Sequence, residues 1–507
     1  MSQLTRIAAA MAVLVSVPAF AATAPVAIGT IYGGGATLPI GAYVGSKWLG
    51  TTDATSKRQS ITSTTKTLDL LNPAAVDSLF AQVTLTSPVG KFFKISYCGT
   101  GSGTGRNVLR GTVDATGTCA NYDTTPTGFA ATTAEADFAG SDAPFSASEV
   151  SSFGSGPRAA SRIAPVQLPA VAAAIGVIFN NSDLGNARLN LTESQLCQVV
   201  SGAINNWNQL GFASKPIVFV RRSDSSGTTF SFTNHLSAAC PVATPVAVTT
   251  FVTENTFGAA RVPVTSITGS GNGGVVASVL ATDGSIGYAD VADGQARAAL
   301  NGGGVLRIAT LSYKPDVPAY VEDVPQNNAD GTPKLKNGIR VTKAVKYKAK
   351  IYTKLDPLNS KHFPASVAVT TVADQVLGSN DVNGRPTLVP VTALAGATPG
   401  CIQTVAPDTY AVPALNVKND YVQYPIIAIS YLMGYNAGNS LDATGVQTPV
   451  GLDKADALRR LFSAPYAISS KVKTIGKKKG FGGLTITAGA GSAATTGAGL
   501  VSACILN

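Results

Sequence analysis

Short apolar runs bounded by Gly, Pro, Ser or Asp alternate along most of this chain with stretches at helical spacing, a pattern that predicts an α/β architecture. The longest apolar segment, RIAPVQLPAVAAAIGVIFN (Arg162 to Asn180), reads as extended around two prolines and then as a strand. LTESQLCQVVSGAINNWNQL (Leu191 to Leu210) opens a helix with Thr192 as its cap and Glu193 and Gln195 in the first turn. KPIVFVRRSDSSGTTFSFTNHLSAAC reads strand, loop, helix; NGGVVASVLATDGSIGYADV reads helix, turn, strand; QYPIIAISYLMGY reads as a buried strand or a strand leading into a helix. From Asn301 to Asp408 the chain is richer in β-branched residues and lysine, as expected of an inserted or elaborated region. Within it VTKAVKYKAKIYTK largely alternates, as a half-exposed strand does. The tail GLTITAGAGSAATTGAG is low in complexity and predicts loop. No internal repeat is visible.

The first 21 residues predict an export signal. One arginine precedes an apolar run from Ile7 to Val17, and Ala19-Phe20-Ala21 supplies an A-x-A cleavage site. No later stretch approaches the about 18 uncharged apolar residues of a membrane span, so a soluble, periplasmic or secreted protein is expected. The roughly 480 residues that follow exceed one compact core and call for at least two lobes. With 52 Gly, 28 Pro, 13% charged and 45% hydrophobic residues, the composition suits a rigid, turn-rich exported protein. Six cysteines without a C-x-x-C pair suggest disulfides over metal ligands.

Charge and histidine supply narrow the chemistry. The net charge of +10 concentrates in Lys334–Lys354 and Lys471–Gly480. Such runs attract anionic partners, but the alternation of the first favours a solvated strand face, and nucleic acid is not an expected partner. Only two histidines exist, and neither has another His or a Cys at metal-ligand spacing. That supply argues against zinc hydrolases and His-based acid–base catalysis, and no metal or other cofactor is expected. His235, on the predicted helix FTNHLSAAC, reads as a surface or packing residue.

Three glycine- and hydroxyl-rich loops carry the candidate chemistry. CGTGSGTGR (Cys98 to Arg106) follows the apolar run KFFKISY, yet lacks the lysine of a phosphate-binding P-loop and the third glycine of G-x-G-x-x-G. The nucleophile pattern G-x-S-x-G occurs nowhere. GGGATLP (Gly33 to Pro39) leads into the helix IGAYVGSKWL, and RRSDSSGTTFSF (Arg221 to Phe232) follows PIVFV, with Ser226, Gly227 and Thr228 as a first helical turn. Free N–H groups at helix starts bind oxyanions, and here Thr37, Ser102, Ser226 and Thr228 add hydroxyls. Each loop alone is an ordinary helix start; three together with Arg222 point to an anion site. Asp142, in ADFAGSDAPFS, adds a carboxylate that accepts the proton phosphate still carries and sulfate lacks. A site built on that bond rejects the analogue by roughly 10⁴-fold. Arg222 supplies a bidentate fork, and Asp224 holds it.

In their order, GGGATLP, ISYCGTGSGTG, DFAGSDAPFS, IAPVQLPAVAAAIGVIFN, LCQVVSGAINNWNQL, PIVFVRRSDSSGTTFSFTNHL and GSIGYADV resemble the periplasmic phosphate-binding proteins of ABC transporters, and most closely their secreted relatives, the DING proteins. The likeness covers most of residues 30–300 and resumes near VQYPIIAISYL. It implies a two-lobed periplasmic-binding-protein fold of type II, each lobe a mixed sheet flanked by helices. The lobes would be 22–166 with 421–507, and 167–420 carrying an elaboration around 301–408. It implies phosphate ligands at Thr37 and Leu38, Ser102, Asp142, Arg222, Ser226, Gly227 and Thr228, with Asp224 pairing the arginine and Ser141 preceding the acid. Leu38, where many relatives carry Phe, contributes a main-chain donor. The expected ligand is inorganic phosphate, selected over sulfate, in a monomer that requires no cofactor and serves a phosphate permease. An alternative is the low-molecular-weight alkaline phosphatase activity of parts of this branch.

The resemblance also implies a Cys197–Cys240 disulfide, and elimination then pairs Cys98 with Cys119 and Cys401 with Cys504. The start AIGTIYGGG departs from the Asp-Ile-Asn-Gly of the branch name. Extra residues at 49–91, 107–137 and 301–408 put a shared transporter-docking surface in doubt, though not the pocket.

Overall fold

The structure, a computed structural model, describes residues 26–43, 58–60, 79–80, 91–112, 136–240, 266–292, 294–295, 306–364, 366–381, 385–392, 394–442, 445–467 and 480–507. The expected export signal, most of 49–91 and 107–137, nearly all of Lys471–Gly480, and Cys119 with its expected partnership to Cys98 lie outside them.

The strands that position the site are β1 (Val26–Gly35), β2 (Lys91–Cys98), β3 (Phe138–Ser141), β4 (Pro165–Asn180), β5 (Val218–Arg222), β6 (Ser266–Gly269), β7 (Ser285–Asp290), β8 (Ser366–Ala373), β9 (Gln403–Val405), β10 (Ile427–Tyr435) and β11 (Phe481–Thr487). The helices are α1 (Ser102–Leu109), α2 (Glu193–Ser201), α3 (Gly227–Ala239), α4 (Gly271–Ala281), α5 (Pro449–Ala467) and α6 (Gly497–Cys504). The α/β class expected from the alternating pattern is the one observed.

Everything is organised on β4. Its first ten residues pair antiparallel with β10, and its last six, from Ile175, pair antiparallel with β7. One sheet therefore runs β9-β8-β11-β4-β10-β3-β1-β2, while the far end of β4 continues through β7 and β5 to β6. Fifteen of the sixteen residues of β4 are buried, which is why the segment reads as an unbroken apolar run without alternation. Pro169 has no N–H to give a ladder, and the pairing with β10 shifts register there, Ser430 facing Val171 and Tyr431 facing Pro169.

Two strands from the stretch expected in the 167–420 lobe, β8 and β9, pair outside the β7-β5-β6 run. There β8 pairs in parallel with β11, and β9 pairs with β8, so both extend the first sheet. The tail is loop only in its middle, 488–496: it begins within β11 and ends in α6, which starts from a Thr496 cap. The half-exposed strand expected around Lys343 forms as Thr342–Tyr347, but neither face is covered.

Local signals hold well at α2. Thr192 accepts from the Gln195 N–H at 3.2 Å, and the Gln195 side chain accepts from the Thr192 N–H at 2.9 Å, completing a capping box. Gly202 ends that helix in the left-handed region, so the remaining part of the segment forms a separate turn over Trp207–Leu210. The Cys197–Cys240 disulfide joins α2 to the end of α3, and Cys401–Cys504 joins the approach to β9 to α6.

His235 is a packing residue of an unexpected kind. It is buried on α3, with Nε2 2.9 Å from Glu193 Oε2 on α2 and Nδ1 2.8 Å from the Ala411 carbonyl. Burial alone would lower the ring's pKa, but the Glu193 charge and both hydrogen bonds outweigh it and raise the pKa above its ordinary value. A raised folded-state value contributes stability that is complete below the unfolded value of about 6.5 and is lost as pH rises through the raised one. His235→Gln is expected to cost about 3 kcal/mol at pH 5, a deficit that shrinks at alkaline pH. Urea midpoints of both proteins across that range check it; a deficit independent of pH contradicts a charged pair.

Candidate functional site

Five strand ends deliver the site, and in each case the loop leaves the carboxyl end of its strand, where crevices open in α/β sheets. From the parallel ends of β1, β2 and β3 come Thr37 and Leu38, Ser102, and Asp142. These loops are laced by main-chain bonds, Gly101 N–H donating to Gly35 O at 2.7 Å and Ala36 N–H to Gly140 O at 2.8 Å. Beneath them Tyr43, Phe80, Tyr97 and Phe138 form a buried aromatic cluster, and Tyr97 Oη donates to Ala36 O at 2.7 Å. The ends of β5 and β6 bring Arg222, with Ser226 through Thr228, and the Ser270–Asn272 start of α4.

The two groups of loops meet closely. Gly103 N–H donates to Ser225 O at 3.3 Å. A Cβ on Gly227 would lie 2.5 Å from Asp142 Cβ and 2.6 Å from Ser102 Oγ, so only glycine fits between them. Gly101 is required twice over: its φ is 99°, and a Cβ there would sit 2.6 Å from Asp224 Oδ2. Ser226 caps α3 by accepting from Thr229 N–H at 3.1 Å, which places Gly227 and Thr228 in the first turn as the sequence predicts.

Arg222 and Asp142 are deeply buried, and Asp224 is half-buried. Arg222 is 1% exposed; its Nε donates to Asp224 Oδ1 at 2.8 Å, and Nη2 pairs with the second oxygen. Burial by itself would lower the guanidinium pKa, but the Asp224 charge outweighs it and raises it. The same pairing overcomes burial to hold Asp224 below the ordinary carboxylate range, helped by a 2.9 Å bond from Gly271 N–H. Asp142 has no such partner. Ser102 Oγ lies 3.4 Å from its Oδ2 and accepts from its N–H at 3.1 Å. Burial pushes the Asp142 pKa up to about 7, against the opposing pull of the Ser430 hydroxyl, Arg222, Ser102 and Arg106.

Four of the buried polar atoms that lack a partner lie with these charges. Asp142 Oδ1, Thr37 Oγ1 and Thr228 Oγ1 are buried without a hydrogen-bond partner, as is Nδ2 of Asn272. A buried polar atom left so costs about 1–3 kcal/mol, and an oxyanion among donors of this kind would remove that cost. The arrangement offers a fixed guanidinium, helix-start N–H groups, hydroxyls and one carboxyl able to carry or accept a proton. Among the described residues no three His, Cys, Asp or Glu side chains group as metal ligands.

All the expected positions come to these strand ends. Leu38 buries its side chain in the core, leaving only its main chain to contribute. Ser141 stands behind the site, accepting from Arg106 Nη1 at 2.7 Å. Arg106 itself, buried and paired with Glu149 at 2.8 Å, was not legible, since nothing local marks an arginine four residues into a helix as internal. Asn272 was legible in principle. SITGSGNGGV is a strand, a glycine-rich loop and a helix start like the other loops, and Asn272 Oδ1 accepts from Arg222 Nη1 at 3.4 Å.

The model of the PBP superfamily domain matches residues 51–348. The chain is 37% identical over 207 residues to Alkaline phosphatase L of Pseudomonas aeruginosa, covering 38% of this chain and 48% of that one. It is 30% identical over 190 residues to the phosphate-binding protein PstS of Xylella fastidiosa, covering 35% and 47%. The chain thus spans less than half the length of these curated relatives. Among solved structures, a high-affinity periplasmic phosphate-binding protein bound with phosphate superposes with a TM-score of 0.48 at 23% identity over 90% of both chains.

The raised pKa of Asp142 makes a stability prediction. A carboxyl raised on folding contributes stability that is complete below about pH 4 and is lost as pH climbs through about 7. In phosphate-free buffer, Asp142→Asn is expected to match the wild type near pH 4 and to exceed it at pH 8 by up to about 4 kcal/mol. Denaturant midpoints at the two pH values measure this; a wild type more stable at pH 8 contradicts the burial of an unpaired carboxyl.

Proposed function

This chain belongs to the PBP superfamily, and on that premise we propose that it binds inorganic phosphate, for uptake or scavenging when phosphate is scarce. The observation that carries the reading is the pairing, in one buried site, of a fixed guanidinium with a carboxyl oxygen that has no partner. The edge of Arg222 not held by Asp224 receives two phosphate oxygens. Thr37 and Leu38 contribute main-chain donors, Gly227 and Thr228 the start of α3, and Ser102, Ser226 and Thr228 hydroxyls. Asp142 accepts the ligand's own proton. Sulfate carries none and meets a carboxylate instead, so the site discriminates by protons and not by size.

The loops from β1–β3 and those from β5 and β6 enclose the ion from two sides, in line with two lobes that share the crossing strand β4. Relatives named for phosphate binding support the ligand. An exported location, periplasmic or released, and a phosphate permease as partner fit the same reading, and no described helix is long and apolar enough to cross a membrane.

One observation favours a second reading, a phosphomonoesterase: the 37% identity to a relative named Alkaline phosphatase L. Ser102 Oγ, 3.4 Å from an Asp142 carboxylate, would be the nucleophile and Asp142 the acceptor of its proton.

Calorimetry on the purified protein is expected to show phosphate and arsenate binding and no sulfate binding. Arg222→Ala should lose about 3–5 kcal/mol, at least a hundredfold in affinity, with circular dichroism unchanged. Near-wild-type affinity in that variant rejects the site. Asp142→Asn should gain measurable sulfate binding, because the amide donates to an unprotonated oxyanion and repels nothing. Turnover of p-nitrophenyl phosphate that Ser102→Ala abolishes would instead establish the esterase.

A further inference from the structure

Away from this site, Tyr320–Pro325 and Thr342–Tyr347 form an antiparallel ribbon, Tyr320 facing Tyr347 and Pro325 facing Thr342. It is prolonged by the smaller hairpin in which Leu335 faces Arg340 and Lys336 faces Ile339. Asn337 and Gly338, both at positive φ (53° and 76°), make the two-residue turn at its tip, which fixes the register of the flanking side chains. We propose that this ribbon is a docking arm for an anionic lipid surface.

Three features converge on that occupant. The first is charge. Between Lys334 and Lys354 the chain carries eight basic side chains and no acidic one; Lys354 is paired with Asp316, and the ribbon's own acids are Glu322, Asp323 and Asp330. The second is apolar exposure interleaved with that charge. Ile339 and Ile351 are each 74% exposed, Val321 60% and Leu335 58%, and at the ribbon's base Val417 is fully exposed beside Lys418. Aliphatic tips flanked by lysines suit a headgroup interface, where the stems and branched side chains enter the apolar boundary and the ammonium groups stay with lipid phosphates. The third is the lack of support. A two-stranded ribbon is marginal in water without a face to pack on, and here both faces are open to solvent.

The alternatives fit less well. Nucleic acid recognition by an exposed ribbon uses aromatic faces for stacking, but Tyr320 and Tyr347 stack on each other, centroids 4.7 Å apart and planes 13° from parallel. A second copy of the ribbon would bring lysine against lysine. The lipid surface satisfies both the charge and the aliphatic tips.

Cosedimentation of the full chain with vesicles tests this. Binding is expected to phosphatidylglycerol–phosphatidylcholine vesicles and to be at least about tenfold weaker on phosphatidylcholine alone, with a comparable loss between about 0.05 M and about 0.5 M salt. The triple change Lys343→Glu, Lys346→Glu, Lys348→Glu should weaken binding by about tenfold or more, and Leu335→Ser with Ile339→Ser by severalfold, on the same per-residue logic. Phosphate affinity by calorimetry, with circular dichroism, should be unchanged in both variants. Absence of wild-type binding to the anionic vesicles overturns the proposal, as does full binding by the triple variant. If Leu335→Ser with Ile339→Ser changes nothing while duplex DNA competes for the lysines, the arm is a polyanion site and the lipid assignment is wrong.

Discussion

A guanidinium that is 1% exposed and cannot shed its proton is the constraint around which this site is built. Arg222 survives burial because Asp224 takes both Nε and Nη2, and Asp224 is itself held by the first N–H of α4. The pair then dictates its neighbours. Gly101 has no side chain because Asp224 Oδ2 lies where a Cβ would be, so the start of α1 is set against the same carboxylate. Asn272 accepts from Nη1, which ties the first turn of α4 to the guanidinium as well. Two helix starts, those of α1 and α4, are thus located by one ion pair. Because Asp224 covers only one edge of the fork, the positive charge is fixed in place and incompletely spent.

That arrangement needs a rigid base, which β4 provides by belonging to both runs of strands. The Ala172–Ala173–Ala174 stretch is fully buried between β10 and β11, and β7 takes over the pairing from Ile175. Cross-links fasten the periphery. The Cys197–Cys240 disulfide and the Glu193–His235 pair both join α2 to α3, the helix whose first turn faces Asp142. Asp142 is the counterweight to Arg222: a carboxyl without a cation of its own, raised by burial to a value where a proton is easily held or given up.

Much of this was legible in the chain. The glycine- and hydroxyl-rich loops announce helix starts, because the residues that cap helices and allow close backbone approach are chemically few. The Thr192–Gln195 box and the Arg222–Asp224 spacing are short-range and form as read. Arg106, Ser430 and Asn272 were not assigned, since their roles depend on which distant loop faces them. The two ends of the tail misled for a similar reason: their small residues have weak local preference, and they become strand and helix through pairing with β4 and β8 and packing near Cys401, while 488–496 stays loop.

The sequence by itself determined the α/β class and singled out the glycine- and hydroxyl-rich loops and the candidate residues on them, because composition, capping and turn signals act over a few positions. Tertiary structure alone decided three further things. It set the depth at which Arg222 and Asp142 lie, and hence their shifted pKa values, because desolvation depends on everything packed around a group. It joined β8 and β9 to the first sheet, because strand partners are chosen by the whole fold. And it left the 320–347 ribbon bare, because an alternating strand shows which face could be covered but not whether anything covers it.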